Sequence, residues 1–248
     1  MKISIITATY NSARTVKDTL NSIQDQQYAD IEHIIVDGKS KDETLKIVSG
    51  FGHVANIISE KDNGIYDAMN KGITAATGDV IGILNSDDIY NSPQIISTVA
   101  QAFSNLEVKT CYGDLQYVQT NNLNKIVRTW KAGHFSRRNF YYGWMPPHPT
   151  FFVRREVYEK VGLFNISLRS ASDYEMMLRI LIKHGIATYY IPQVIVKMRA
   201  GGMSNASFKN RINANKEDRL AWKLNGLEPH FFTLYAKPIR KISQFLIR

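Results

Sequence analysis

The chain has 248 residues, a net charge of +9 and a single cysteine, Cys111. This length suits one α/β domain with additions, and a single cysteine excludes an internal disulfide framework. No apolar run approaches the roughly 18 residues that cross a bilayer. The start Met1-Lys-Ile-Ser lacks a signal-peptide pattern, so we expect synthesis in the cytosol.

The first hundred residues alternate between strand and helix patterns. The predicted strands lie near residues 2–7, 32–37, 55–59 and 79–84, and the predicted helices near 13–26, 42–51, 65–76 and 93–103. Ser92 is expected to cap the last helix, with Pro93 in its first position. This alternation predicts an α/β fold with a mostly parallel sheet and helices on both faces. Ligands of such sheets bind beyond the carboxyl ends of the strands.

Two standard phosphate-binding patterns are absent or misplaced. The chain has no G-x-x-x-x-G-K-[ST] motif. The G-x-G-x-x-A match at Gly50–Ala55 lies after a helix and before a strand, which reverses the dinucleotide-binding order, so it is interpreted as a connector. A nucleotide bound here would therefore need a metal ion and side chains to hold its phosphates.

An acid ends the second predicted strand. Asp37 follows the apolar residues of this strand, and the pattern Ser40-Lys-Asp-Glu43 after it reads as a capping box. The capping box explains Ser40 and Glu43 as structural residues. Asp37 is left free to accept hydrogen bonds from a base or a sugar hydroxyl.

Two adjacent acids, Asp87 and Asp88, follow the buried apolar run Val80–Leu84. Oxygen ligands at a strand tip suit Mg²⁺ or Mn²⁺, which complete their shells with substrate phosphates. The alternative is a surface turn, since Asp and Asn favour turns and caps.

The middle of the chain, residues 110–150, changes character. Segments 110–113, 115–118 and 125–130 are predicted strands, with a turn at Asn121-Asn122. A long loop, 135–149, then carries aromatic and basic residues suited to sugars or phosphates. These residues are Arg137, Arg138, Tyr141, Tyr142, Trp144 and His148. A structural role for His148, between two prolines, remains equally open.

A further helix is predicted to begin at Ser172-Asp-Tyr-Glu175. Its letters again fit a capping box, formed by Ser172 and Glu175. Asp173 lies in the first turn, where the helix dipole favours a negative charge. A carboxylate held ionised there can take a proton from a hydroxyl group.

The last fifth of the chain is strongly basic. Residues 201–248 contain nine Lys and Arg against three Asp and Glu. Apolar Ile239, Ile242, Phe245 and Leu246 are spaced as one stripe of a basic amphipathic helix. Such a helix either lies on an anionic membrane surface or packs on the protein's own core. No nucleic-acid recognition signature is present, so nucleic acid is not an expected partner, and the possibility of a homodimer is left open.

The chain resembles the family 2 glycosyltransferases with the GT-A fold, in particular bacterial enzymes of O-antigen and colanic-acid synthesis. The resemblance covers about residues 2–200 and rests on motifs that recur in order. They are Ile5-Ile-Thr-Ala-Thr-Tyr-Asn11, the segment 35–44, the segment 59–72, Asn85-Ser-Asp-Asp88, the segment 147–154 and Ala171-Ser-Asp-Tyr-Glu175. The last two look like the family's acceptor region and catalytic-base motif.

The resemblance assigns roles to particular residues. It implies nucleotide binding by Thr9, Tyr10, Asn11, Asp37, Asn63 and Lys71, metal binding by Asp87 and Asp88, acceptor binding by Trp144 and His148, and a catalytic base at Asp173. Two departures matter. Asn85 replaces the first aspartate of the metal motif, so ligation falls chiefly on Asp87, and Ser172 replaces the glutamate of the usual Glu-Asp pair.

The resemblance also implies a function and a place in the cell. We expect an inverting enzyme that uses Mn²⁺ or Mg²⁺ to move a sugar from a UDP-sugar to a polyprenyl-diphosphate-linked glycan. Residues 1–205 would form the GT-A domain, divided into a nucleotide-sugar half (1–105) and an acceptor half (106–205). Residues 206–248 would form a helical extension that binds the cytoplasmic face of the inner membrane. The alternatives are a sugar-nucleotide-forming nucleotidyltransferase, against which the glycine-free first loop argues, and a noncatalytic glycan- or lipid-binding module.

Overall fold

The computed structural model describes residues 1–201 and 208–243. Its strands form one nine-stranded sheet in the order β3-β2-β1-β4-β8-β6-β9-β5, with β7 paired to β6. The strands are β1 Ile3–Thr9, β2 Ile31–Asp37, β3 Val54–Ser59, β4 Val80–Ile83, β5 Ile89–Tyr90, β6 Thr110–Gln119, β7 Asn122–Trp130, β8 Phe152–Arg154 and β9 Thr188–Arg199. The four strands predicted before residue 100 are all present, within a few residues of their expected ends.

The helices connect these strands. They are α1 Val16–Gln24, α2 Thr44–Val48, α3 Ile65–Ala75, α4 Ile95–Ala102, α5 Arg137–Tyr141, α6 Arg155–Val161, α7 Ser172–Met177, α8 Phe208–Leu224 and α9 Thr233–Ser243. A 3-10 turn, His148–Thr150, precedes β8, and a π-helical segment, Leu178–Lys183, continues α7. The predicted loop 135–149 therefore contains a short helix and the start of a 3-10 turn.

Strand direction brings the predicted site residues to one edge of the sheet. Strands β1, β2, β3 and β4 are parallel, whereas β8 is antiparallel to β4, with Ile81 opposite Val153. The carboxyl ends of β1, β2 and β4 therefore share an edge. The turn that leads into β8 lies at this same edge, because β8 runs the opposite way. We call it the carboxyl edge.

Helices cover both faces of the sheet, as predicted. Along β1, Ile3 and Ile5 pack in one core cluster with residues of α4, while Ile6 packs in another with residues of α3 and α7. Neighbouring side chains of a strand point to opposite faces, so β1 contributes to both clusters. Gly72 of α3 lies so close to Ile6 that an added Cβ would collide with its side chain. The two layers fix the strand tips rigidly.

Three local predictions are wrong. Helix α4 begins at Ile95 with Gln94 as its N-cap, so neither Ser92 nor Pro93 starts it. Instead, the Ser92 hydroxyl accepts a 3.4 Å hydrogen bond from the Gln94 amide in a turn before the helix. Segments 110–113 and 115–118 form one strand, because β6 continues as a partner of β9 beyond the end of β8. The turn between β6 and β7 lies at residues 120–121.

The C-terminal helices pack on the body of the protein. Trp222 of α8 and Leu234 of α9 are buried in the same cluster as Tyr174. Gly143, at φ +77°, lets its loop approach the α9 backbone, since a Cβ there would lie 2.5 Å from the Lys237 nitrogen. The boundary at residue 206 stays a prediction, and the apolar stripe of residues 239–246 falls outside the described side chains. Among the described helices, none is both long and apolar enough to cross a membrane.

Candidate active site

The loops after β1 and β2 are fastened to each other at the carboxyl edge. Asn11 donates its backbone N–H to Ser40 Oγ and accepts from the Lys41 amide through its side-chain oxygen, both at 2.8 Å. Asn11 has φ 49°, a left-handed conformation that Asn tolerates better than most residues. The predicted nucleotide loop is thus held in one shape by its neighbour.

Asp37 organises this pair of loops. Its buried carboxylate accepts hydrogen bonds from Thr9 Oγ1 at 3.1 Å, Ser59 Oγ at 2.8 Å, and both the amide and the hydroxyl of Ser40. Ser40 therefore does not cap a helix, and the predicted capping box is wrong: α2 starts at Thr44 without a side-chain cap. Contact between Asp37 and a base stays a prediction.

Thr9 and Tyr10, two further predicted nucleotide-binding residues, lie at the end of β1 next to Asp37. Thr9 is buried and serves as a donor to Asp37, whereas the Tyr10 side chain is 60% exposed. The Tyr10 ring is close to Gly38, since a Cβ built on that glycine would lie 3.4 Å from Tyr10 Cδ2. An exposed aromatic ring at a strand tip can stack with a nucleobase.

Asp87 and Asp88 lie on a loop that is held in place by α1 and by the loop after β1. The Thr19 hydroxyl of α1 donates to the Asp88 carbonyl at 2.7 Å, and the Ser12 and Ser86 hydroxyls are 2.8 Å apart. These contacts join the acidic loop to the loop after β1. Metal and nucleotide candidates are thereby brought to one place, as the sequence predicted.

The two acids are crowded and only partly satisfied. Asp88 is buried, and its Oδ2 accepts from Asn85 Nδ2 at 3.1 Å. Among the residues that the structure describes, Asp88 Oδ1 and Asn85 Oδ1 have no hydrogen-bond partner. Burial, followed by repulsion from Asp87, raises the pKa of Asp88 well above its ordinary value. Burial also raises the pKa of Asp87. Orphaned oxygens beside two carboxylates are what a bound cation would relieve.

The donor set fits Mg²⁺ or Mn²⁺ with phosphate completing the shell. Within the described part of the chain, no group of three or more His, Cys, Asp and Glu could hold a metal ion. Magnesium is usually bound by one or two carboxylates together with substrate phosphates and water, so a third acidic ligand is not required. Asp87 and Asp88 fit this pattern.

Arg199 is a residue of this site that sequence reasoning missed. Its Nη1 donates to the Asp87 carbonyl at 2.6 Å, its Nε donates to the Thr120 carbonyl at 3.2 Å, and its Nη2 pairs with the Asp18 carboxylate. One buried guanidinium thus ties the acidic loop to α1 and to the end of β6. Nothing in the sequence around Arg199 indicates this role, because each partner comes from a different part of the chain.

Asp173 lies beside the start of α3, at the carboxyl edge. The Tyr66 hydroxyl, in the first turn of α3, donates to Asp173 Oδ1 at 3.2 Å. Burial, followed by the negative charge of Asp173, raises the pKa of Tyr66, so the phenol keeps its proton and acts as the donor. Sequence analysis did not assign Tyr66, although it lies within the segment 59–72.

The capping box predicted at Ser172 is wrong. Helix α7 starts at Ser172 itself, whose buried hydroxyl has no partner in the described part of the chain. Glu175 pairs with Arg179 at 2.9 Å instead. Asn225, which directly follows α8, also donates to Glu175, at 3.1 Å. The helix that carries Asp173 is therefore fixed from its inner side, while Asp173 itself remains partly exposed.

The two predicted acceptor residues differ in position. His148 is half-buried, and its ring lies edge-on to Phe164, which stacks on Tyr66. Burial lowers the pKa of His148, while the negative charge of Asp173 acts in the opposite direction. Phe164 lies between His148 and Tyr66, and Tyr66 is the donor to Asp173. The placement of Trp144 on an exposed loop surface is wrong: its indole is buried and donates to the Ala132 carbonyl at 2.8 Å. Aromatic packing against Phe140 draws this tryptophan into the core.

Asn63 and Lys71 are the other two predicted nucleotide-binding residues. Asn63 lies just before α3, and Lys71 lies within it. Lys71 pairs with Glu60 at 2.9 Å and Asp67 at 3.6 Å. The Asn63 amide also donates to Asp67, at 2.9 Å. Both residues therefore hold the turn that starts α3, and their contact with a nucleotide stays a prediction.

Comparison with known proteins places this site in a family. The model of "Glycosyl transferase family 2" matches residues 4–162, a range that includes both loops, the acidic pair and Tyr66. The chain belongs to glycosyltransferase family 2. The predicted family is therefore confirmed, and the nucleotidyltransferase alternative is overturned by this match.

Relatives in mycobacteria support the same family. An uncharacterized glycosyltransferase of Mycobacterium tuberculosis is 34% identical over 180 residues, which cover 71% of this chain and 68% of the relative. A PGL/p-HBAD biosynthesis glycosyltransferase of Mycobacterium bovis is 31% identical over 208 residues, covering 82% of this chain and 78% of the relative.

Solved structures share the fold at low sequence identity. The TarS 1–349 structure from S. aureus in complex with UDP-GlcNAc has a TM-score of 0.70 at 18% identity, covering 99% of this chain and 72% of that one. In a longer TarS structure the match covers 43% of that chain. A Pyrobaculum calidifontis mannosyltransferase in complex with GDP-Man and Mn²⁺ has a TM-score of 0.67 at 18% identity, covering 95% and 68%. The expected GT-A fold is confirmed.

Proposed function

We propose that the protein transfers one sugar, with inversion, from a UDP-sugar to a hydroxyl of a lipid-linked glycan in bacterial surface polysaccharide synthesis, either O-antigen or capsule. The observation that carries this proposal is the contact between Tyr66 and Asp173. It joins the helix that follows β3 to the helix that bears the candidate base. A carboxylate held there lies at the carboxyl edge, the edge at which the candidate nucleotide and metal loops also lie.

The proposed chemistry is a single displacement at the anomeric carbon. Asp173 accepts the proton of the acceptor hydroxyl while the hydroxyl oxygen forms a bond to the anomeric carbon. The bond from that carbon to the nucleoside diphosphate breaks, and its electron pair leaves with the diphosphate. Attack from the face opposite the leaving group inverts the centre, so an α-linked donor gives a β-linked product.

Asp87 and Asp88 would hold the metal ion, Mn²⁺ or Mg²⁺. When bound, such an ion neutralises charge that develops on the departing diphosphate. Arg199 keeps the Asp87 backbone in place, and Asn85 orients Asp88 through its amide. The Mn²⁺ complex of the archaeal mannosyltransferase supports a divalent cation in this fold.

The names of similar proteins support the donor and the kind of product. TarS structures contain UDP-GlcNAc and UDP, and the mycobacterial relative acts in PGL/p-HBAD biosynthesis. On that basis we propose that this chain uses a UDP-sugar donor and acts in the synthesis of a surface glycan. His148, which contacts Phe164 next to Tyr66, is the proposed acceptor contact.

Contact with the cytoplasmic face of an anionic membrane is part of the proposal. An aromatic cluster is exposed near the C-terminus: Phe231 is 89% exposed and packs on Phe232, which packs on Tyr142. Arg138 lies over the Tyr142 ring. Aromatic side chains beside basic groups favour the interface of an anionic bilayer. A lipid-linked acceptor would be presented at that surface.

One assay tests the transfer directly. The protein is incubated with Mn²⁺, a synthetic lipid-diphosphate GlcNAc and each of several nucleotide sugars, and release of the nucleoside diphosphate is measured. We expect release with a UDP-sugar that depends on the acceptor. Absence of release with every donor, from folded protein, would refute the proposed transfer. Release without acceptor would refute the proposed acceptor and leave donor use standing.

A further inference from the structure

A small recess at the end of β2 brings together an aromatic ring and a carboxylate. Gly38 is buried there, and a Cβ added to it would collide with Asp62 Oδ2. The same Cβ would lie 3.4 Å from Tyr10 Cδ2. Gly38 is thus the floor on which the Tyr10 ring and the Asp62 carboxylate come close to each other.

Asp37, one residue before this floor, has no free acceptor for a base. A carboxylate offers about four lone-pair directions. Four donors from Thr9, Ser40 and Ser59 already bind the two oxygens of Asp37, and the residue is fully buried. A hydrogen bond from a base to Asp37 would have to replace one of these internal bonds.

Asp62 has the free acceptor that Asp37 lacks. Its Oδ1 accepts from the Gly64 amide at 2.9 Å, which fixes the side chain at the start of α3. Within the described ranges, Oδ2 has no hydrogen-bond donor. The residue is half-buried, so this oxygen is held near Tyr10 and is still reachable from outside.

We infer that Asp62 selects the base of the donor nucleotide. The base would stack on Tyr10 while its ring N–H donates to Asp62 Oδ2. Uracil and guanine carry such a donor on the ring nitrogen of their pairing edge, whereas cytosine and adenine carry an acceptor there. Asp62 would therefore admit uridine and guanosine diphosphates and reject those of cytidine and adenosine. The inference rests on the proposed function, because it assumes a nucleotide donor.

Calorimetric titration of the full chain with UDP, GDP, CDP and ADP, in the presence of Mn²⁺, tests this inference. We expect the wild type to bind UDP or GDP at least tenfold more tightly than CDP and ADP. Asp62→Asn should weaken the preferred nucleotide about tenfold to hundredfold, because a charge-assisted hydrogen bond is lost. It should not weaken CDP, since the new amide can donate to the cytosine ring nitrogen. Tyr10→Ala should weaken all four nucleotides alike.

A second variant displaces the Asp62 carboxylate without changing its chemistry. Gly38 does not have a left-handed φ, so Gly38→Ala is tolerated by the backbone, but its methyl group must displace Asp62 Oδ2. We expect the same loss of base preference. Asp25→Asn is the matched control, because Asp25 is exposed at the far end of α1. Thermal melting of each variant establishes that it is folded.

The outcomes separate this inference from the proposed function. If the wild type binds UDP selectively and both Asp62→Asn and Gly38→Ala keep that selectivity within twofold, Asp62 does not select the base and the inference is overturned. Selectivity lost in Asp37→Asn but kept in Asp62→Asn would also overturn it, and would return the role to Asp37. If the wild type binds none of the four nucleotides, the proposed function fails together with the inference.

Discussion

The Tyr66 hydroxyl donates a 3.2 Å hydrogen bond to Asp173 Oδ1 across 107 residues of sequence. Tyr66 belongs to the turn that starts α3, and Asp173 belongs to the first turn of α7. Phe164 stacks on the Tyr66 ring and holds it from the side. The bond therefore fixes the direction of the candidate base relative to the half of the molecule that carries the nucleotide loops.

Removal of this bond should slow the chemical step. In Tyr66→Phe, the ring and its stacking remain while the donor to Asp173 is lost, so the carboxylate is less well aligned. We expect kcat to fall about tenfold, with KM for the donor changed by less than about threefold. Steady-state kinetics measure both constants. Tyr28→Phe is the control, since the Tyr28 hydroxyl bonds to the Met1 carbonyl at 2.6 Å, away from the carboxyl edge. An unchanged kcat in Tyr66→Phe would remove Tyr66 from the mechanism.

Asp173→Asn tests the base itself. An amide of the same shape cannot accept the proton of the acceptor, so we expect kcat to fall about a hundredfold or more. Binding of UDP, measured by calorimetry, should stay within about threefold of the wild type. Full activity in this variant would mean that another group accepts the proton. If neither protein transfers a sugar and the variant's function is otherwise unchanged, a noncatalytic module is favoured.

Metal binding should be visible as thermal stabilisation. A cation that binds the folded state raises the melting temperature by mass action, and here it also relieves repulsion between Asp87 and Asp88. We expect Mn²⁺ with UDP to raise the melting temperature of the wild type, and Asp87→Asn to abolish most of this rise. Asn85→Asp should lower the melting temperature without metal, because it adds a third negative charge, and should increase the rise with metal. The same rise in the wild type and in Asp87→Asn would place the cation elsewhere.

The buried His33, which contacts the half-buried His53, predicts loss of stability in mild acid. His33 is buried, its Nδ1 lies 3.1 Å from His53 Nε2, and burial together with His53 lowers the pKa of His33 to about 3. The unfolded chain, with an ordinary histidine pKa, takes up the proton first as the pH falls. The contribution of His33 to stability is therefore present above about pH 6.5 and is lost between pH 6.5 and pH 3.

Urea unfolding at pH 7 and pH 5 measures this loss, above the range where carboxylates of ordinary pKa titrate. We expect the wild type to lose on the order of 1–2 kcal/mol over this interval because of His33. His33→Asn should be less stable at pH 7 but should show a smaller loss between the two values. An equal loss in both proteins would mean that His33 does not set the pH dependence.

The exposed aromatic cluster predicts binding to anionic vesicles. Phe231→Ser removes a ring that is 89% exposed, so partitioning to vesicles containing phosphatidylglycerol should fall several-fold and become more sensitive to salt. Leu106→Ser is the matched control, because Leu106 is 72% exposed near the amino end of β6. Sedimentation with the vesicles gives the bound fraction. If the two variants bind equally well, the membrane surface is not at Phe231.

The sequence by itself determined the order of the first strands and the position of the acids at their tips. A strand pattern depends on residues that are close in sequence. An apolar run such as Val80–Leu84 is driven into the core by its own hydrophobic side chains. Parallel strands then bring their carboxyl ends to one edge, so Asp37 and Asp87 had to lie at the same edge of the sheet. Four of the six family motifs lie within these same segments or in the loops that follow them, so local sequence was enough to indicate the family.

Only the tertiary structure decided what each polar side chain does there. The sequence around Ser40 is typical of a helix cap, yet the Ser40 hydroxyl donates to Asp37. It does so because the loop after β1 places the Asn11 backbone N–H against Ser40. Trp144 belongs to a segment with the composition of a surface loop, yet it is buried, in part against the distant Tyr112 as well as its neighbour Phe140. A hydrogen bond or an aromatic contact depends on where both partners lie in space. Local sequence gives the position of one partner, and only the packed chain gives the position of the other.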